Sequence, residues 1–364
     1  MNERLAGKHV VICAGSGGVG KTTTSAAIAM GLAAQGGRVA VVTIDPARRL
    51  ADALGVDELG NDPRLVDPAR LAGHGIDVRG ELWAMMLDPK RTFDELIARL
   101  APDAAARDEV LANRIYQQLS QAVAGSQEFT AVAKLYELHR SGRFDVLVLD
   151  TPPARQALDF LDAPDRLTSF LEGRALRAFL TPTGVAARVL GLGTGVVFSA
   201  LNRLTGVDLL DDLGVFFRAL AGLLDGFRER AEAVNALLAD ERTTFVVVAS
   251  PEREPVEEAI FFAGKLRAAN LQFGALVVNR VHPLDASASA ADADALRAAL
   301  GDERLAGKVA RAYDEERALA ARDRRAIERL RERTGEEHPV LVPQLPGDVH
   351  DVDGLVAVHA HLFG

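Results

Sequence analysis

Short apolar, β-branched runs alternate along the chain with segments of helical period. Strands are predicted over His9–Ala14, Val39–Ile44, Leu82–Leu87, Phe144–Leu149, Thr243–Ala249, Ala275–Asn279 and Pro339–Val342. Helices are predicted between them, as at Lys21–Gln35 and Pro255–Ala269. Strands that alternate with helices predict an α/β fold, a mostly parallel sheet flanked by helices on both faces. Two stretches break the alternation. Residues 88–142 and 154–240 carry helical period and no convincing strand. The chain therefore reads as one α/β domain over residues 1–364 with a helical subdomain built from those two insertions.

Composition narrows the picture. The chain has 364 residues, 48% of them hydrophobic and 26% charged, enough for a large buried core. Its 42 Lys and Arg against 51 Asp and Glu give a formal charge of −9, and an acidic balance argues against a nucleic-acid partner. The N-terminus lacks the long apolar core of a secretion signal, so a cytoplasmic protein is expected. The longest apolar stretch, Val189 to Asn202, falls short of the roughly 18 residues of a membrane span, and no integral membrane segment is expected. The one cysteine, Cys13, excludes an intrachain disulfide, a CxxC zinc site and a four-thiolate cluster.

The strongest local chemistry is Gly15-Ser16-Gly17-Gly18-Val19-Gly20-Lys21-Thr22-Thr23, placed between a predicted strand and a predicted helix. Glycines let a backbone wrap closely around phosphate, and successive N–H groups with the helix N-terminus face the anion. In such a loop Lys21 binds the β and γ phosphates and the Thr22 hydroxyl holds Mg²⁺. Asp45 ends the second predicted strand and emerges at the same edge of the sheet. There it is a candidate to orient the attacking water and touch the metal shell, or to cap the helix that follows. Asp150, after the strand Phe144–Leu149, fits the Mg²⁺-side carboxylate of a P-loop NTPase, or caps the turn that Thr151-Pro152-Pro153 forces.

Taken in order, GSGGVGKTTT, TIDPARRLADALG and VLDTPPARQALDFL resemble the phosphate loop and both switches of one family. It is the family of the arsenical pump-driving ATPases and the guided-entry ATPases that target tail-anchored membrane proteins. The resemblance continues through TFVVVA, VVNRV and VPQLPGDV, so it covers nearly the whole chain. It implies an ATP-binding dimer whose two subunits face each other across their nucleotides, a homodimer or, as Ser16 below suggests, a heterodimer with a paralogous ATPase. It also implies that Lys21 and Asp45 are catalytic, that Thr22, Asp45 and Asp150 serve Mg²⁺, and that Asn279, Pro343 and Asp348 lie on the nucleotide, the first two on adenine. Asn279 also reads as a strand-end turn residue and Asp348 as a helix cap.

Four departures from the family pattern stand beside these matches. Ser16 occupies the position of the family's signature lysine, which reaches across the dimer to the partner's phosphates. Slow hydrolysis by a homodimer follows, or a nucleotide-binding regulatory subunit whose lysine comes from a paralogue. No CxxC is present for a zinc clamp. Cys13 sits in a predicted core strand, away from any thiol site for arsenite. After Asp150-Thr151 and Pro153, Ala154-Arg155-Gln156 stands where the family commonly carries Thr-Gly-His. In the targeting ATPases the region matching Leu176–Val234 forms a hydrophobic groove for a client helix from a membrane protein. The apolar residues here suit either that groove or packing of the subdomain on itself. A septum- or chromosome-positioning ATPase shares the loop, but such chains are shorter and lack so long an insertion.

Overall fold

The computed structural model describes residues 1–45, 47–114, 116–117, 126–152, 223–283 and 292–364. The chain divides into two compact units. One comprises Met1–Met86, Ser141–Leu158 and Ala239–Gly364, and the other Leu87–Arg140 and Asp159–Leu238.

The first unit is built on an eight-stranded sheet: β1 (Val10–Gly15), β2 (Arg38–Thr43), β3 (Arg64–Leu65), β4 (Glu81–Met86), β5 (Val146–Asp150), β6 (Thr243–Ala249), β7 (Phe273–Val281) and β8 (Val340–Pro343). The order across the sheet is β3-β4-β2-β5-β1-β6-β7-β8. Every neighbouring pair is parallel except β3 with β4. Every residue of β1 and β6 is buried, as a parallel strand covered on both faces requires, so they read as unbroken apolar runs.

Four helices of this unit matter for the site: α2 (Lys21–Ala34), α9 (Arg253–Ala268), α11 (Glu303–Thr334) and α12 (Val352–Phe363). Small residues let α2 lie close to its neighbours. A Cβ on Gly31 would come within 2.3 Å of the Phe363 ring of α12. The chain passes from one half of the sheet to the other between β5 and β6, which flank β1 on either side. A crevice for a ligand opens at such a crossover, outside the carboxyl end of the central strand.

Strand limits differ from the sequence reading by up to two residues. The short antiparallel β3 was not predicted, because two residues carry no periodicity. Strand β7 begins earlier than Ala275 because Gly274, which reads as a turn, packs against β6. A Cβ there would meet Thr244 Oγ1 at 2.1 Å.

The described part of the second unit is helical: α5 (Pro89–Leu100), α6 (Ala104–Ala112), α7 (Ser126–Arg140) and α8 (Leu224–Ala239). Phe93 stacks on Tyr116 and Phe227 with ring centroids 6.1 and 5.9 Å apart. Buried Lys134 is paired with Glu95 at 3.1 Å and Glu137 at 3.3 Å, the compensation a buried ammonium needs. Among the described residues no helix is long and apolar enough to cross a membrane. Most of the expected client region, including Val189 to Asn202, and Pro153 to Gln156 of the second switch lie outside the described residues.

Candidate active site

The loop from β1 to α2 keeps its shape through backbone geometry. Gly18 and Gly20 have φ of 79° and 92°, the left-handed region that favours glycine. Gly15 lies so close to β6 that a Cβ would fall 2.0 Å from the Val248 carbonyl oxygen. Helix α2 then opens at Lys21 with its first N–H groups free of side-chain caps. Such a helix end is a ready anion site.

Lys21 is only 8% exposed, and its Nζ donates to the Ser16 carbonyl at 2.7 Å across the loop. Burial lowers its pKa, while the carboxylates of Asp150, Asp45 and Glu258 act to raise it. The nearby Arg49 guanidinium acts with burial to lower it. Thr23 follows Thr22 in the first turn of α2.

The sheet register explains the second cluster. Thr43 of β2 and Cys13 of β1 are both register partners of Asp150 in β5. Side chains at one register level of a parallel sheet point to one face. Thr43 Oγ1 accordingly donates to Asp150 Oδ2 at 2.9 Å, and Thr22 Oγ1 donates to the same oxygen at 2.7 Å. Asp150 is 1% exposed, and its Oδ1 has no hydrogen-bond partner among the described residues. Burial pushes its carboxyl up to about 6, against the two threonine hydrogen bonds and Lys21. A buried carboxylate oxygen left without a donor, next to a threonine hydroxyl, fits a hard divalent cation such as Mg²⁺.

Asp45 stands beyond the end of β2, 33% exposed on its side chain. Its Oδ1 accepts the Ala47 N–H at 2.9 Å, and its Oδ2 is 3.9 Å from an Arg49 nitrogen. It does not cap the following helix, α3 (Arg49–Leu54), whose N-cap is Arg48. Its carboxylate turns the chain before that helix and raises the Asp150 pKa by its charge.

On the other side of the loop, Asn279 Nδ2 donates to the Val19 carbonyl at 2.8 Å, and Asn279 Oδ1 accepts the Arg280 N–H at 2.9 Å. Arg280 has φ of 60°, and the β7–β8 register shifts between Val278 and Val281. This bulge aims the asparagine at the loop. Pro343 ends β8 opposite Val281, at the same edge of the sheet. Asp348 is exposed in the next loop, and its carbonyl accepts from His350 Nδ1 at 2.7 Å. The cap of α12 is Asp351, which accepts the Gly354 N–H, so the capping reading of Asp348 is corrected.

The structure thus gathers Lys21, Thr22, Asp45, Asp150 and Asn279 around one loop. It adds two residues that sequence reasoning did not single out. Thr43 left a signal as the lone hydroxyl in an apolar strand. Glu258 left none: it accepts the Ser16 hydroxyl proton from 242 positions along the chain. Cys13 is buried in the centre of β1, where burial pushes its thiol up to about 12 and leaves it protonated.

The family model for the anion-transporting ATPases matches residues 8–305. The chain belongs to the anion-transporting ATPase family. Relatives include the ATPase get3 of Aspergillus terreus, 29% identical over 76% of this chain and 74% of its own. An uncharacterized protein of Streptomyces coelicolor is 31% identical over 77% of this chain and 64% of its own. A putative arsenical pump-driving ATPase of Aquifex aeolicus is 28% identical over 76% and 64%. As a member of the anion-transporting ATPase family the chain is a nucleotide-binding ATPase.

Proposed function

We propose that the chain is a Mg²⁺-dependent ATP hydrolase that works as a dimer in the cytoplasm and couples its cycle to a membrane-protein or transport client. The observation that carries the metal and the hydrolysis is the Thr22–Asp150–Thr43 cluster beside the glycine loop, where a buried Asp150 oxygen has no partner among the described residues. In this reading the loop backbone of Gly15, Ser16, Gly17, Gly18, Val19 and Gly20, with Lys21 and Thr23, holds the phosphates. Thr22, Asp45 and Asp150 would hold the metal. Bound Mg²⁺ would neutralise phosphate charge and act as a Lewis acid. Asp45 orients the attacking water through its half-buried carboxylate. Asn279, Pro343 and Asp348 take the base side of the nucleotide, supported by the position of Asn279 and Pro343 at the same sheet edge.

Ser16 favours a second reading. Its hydroxyl is directed at Glu258 of its own chain and brings no positive charge to a partner's phosphates. A heterodimer with a lysine-bearing paralogue would supply that charge, with this chain as its regulatory half. The client assignment is carried by the relatives, one named an arsenical pump-driving ATPase and one an ATPase get3.

Light scattering with Mg²⁺ and a non-hydrolysable ATP analogue tests the dimer. A doubled mass for the chain alone supports the homodimer, and a doubled mass only with the paralogue supports the heterodimer. A monomer under both conditions contradicts the dimeric reading.

A further inference from the structure

Ser16 is 5% exposed, and its hydroxyl donates a hydrogen bond to Glu258 Oε2 on α9. The backbone carbonyl of Ser16 is held by Lys21 Nζ at 2.7 Å. One residue of the phosphate loop is therefore tied to a carboxylate through its side chain and to the loop's cation through its backbone. Of the three carboxylates that act on Lys21, Asp150 is occupied by two threonines and Asp45 by a turn at the end of β2. Glu258 comes from the far half of the sheet, and its contact in the loop is with the serine that replaces the family's lysine.

Two physical consequences follow for a polyanion entering the loop. A phosphate oxygen competes with Glu258 for the one side-chain donor that Ser16 has. The glutamate charge also opposes the phosphate charge at short range, where a half-buried site screens poorly. Both effects grow with the charge of the ligand. We propose that Glu258 is a specificity-determining residue that weakens nucleotide binding, and weakens triphosphate more than diphosphate. It acts by withdrawing the Ser16 hydroxyl and adding like charge beside Lys21. The inference rests on the nucleotide occupying this loop.

Glu258→Gln isolates the charge, since the amide oxygen still accepts from Ser16. Calorimetric titration of the full chain with Mg²⁺, using ADP and a non-hydrolysable ATP analogue, compares it with wild type. The expected result is tighter binding of the ATP analogue by about five- to tenfold, with a smaller gain for ADP. Added salt should narrow the difference between variant and wild type. Ser16→Ala in the Glu258→Gln background should be less than additive, because the two residues act through one contact. If Glu258 instead supports the loop, Glu258→Gln binds both nucleotides equally or more weakly, and the proposal is overturned. Titration of wild type with ATP analogue stands as the separate control. Absence of binding there overturns the nucleotide reading itself, and this inference with it.

Discussion

Asp150 is where the chemistry of the site and the stability of the fold pull in opposite directions. A carboxyl whose pKa rises from 3.8 unfolded to about 6 folded binds its proton more tightly in the native state. Its ionisation therefore costs fold stability as pH rises through that window. The cost is absent below the unfolded value and complete above the folded one. Asp150→Asn keeps an acceptor for Thr22 and Thr43 and removes the charge. Urea melts should show the variant more stable than wild type by up to about 3 kcal/mol at neutral pH, the gain vanishing below about pH 4. The variant should also lose the stabilisation that Mg²⁺ with nucleotide gives wild type. A variant less stable than wild type at neutral pH would contradict this account of the buried charge. A group retained at such a cost is one whose charge has a use.

At the scale of elements, the β1–loop–α2 unit depends on glycines for two different reasons. Gly15 is a packing glycine: a methyl there meets the Val248 carbonyl and must push β1 away from β6. Gly18 has open space around its Cβ position but φ of 79°. Thermal melts should find Gly15→Ala destabilised by about 3 kcal/mol. Gly18→Ala should lose only about 1–2 kcal/mol. The reverse order would mean that backbone conformation, not strand contact, limits the loop.

Much of this element was legible in the sequence because its determinants are neighbours along the chain: an apolar strand, glycines, Lys21 and Thr22. Asp150 was legible for the same reason, as the polar end of an apolar run. Thr43 showed as the lone hydroxyl of an apolar strand, but its use depends on the register that places β2 beside β5. Asn279 was visible as a candidate, but the bulge that aims its amide at Val19 depends on the pairing of β7 with β8. Glu258 was hidden altogether, one carboxylate on a charged helix, significant only because α9 returns it to Ser16. The two-residue β3 and the early start of β7 were missed because pattern needs length and because Gly274 signals a turn while serving as a close contact.

At the scale of the whole molecule, the sheet order brings groups from β1, β2, β5, β7 and α9 to one end of one unit. Cys13 lies at the register level of Asp150 but is fully buried. Cys13 is sealed in the sheet centre with its thiol protonated, so a thiol-metalloid site is not built from it. Family membership gives an ATPase, and the proposed mechanism places Asp45 and Mg²⁺ in its hydrolytic step. The most direct test is steady-state phosphate release from ATP by the purified chain, wild type against Asp45→Asn, with Mg²⁺ and with a chelator. If turnover needs a paralogue, the same assay is run on the complex. Mg²⁺-dependent release by wild type is expected, with a loss of about a hundredfold in Asp45→Asn and ATP affinity retained. Release that continues under the chelator, or an Asp45→Asn variant as fast as wild type, would contradict that mechanism.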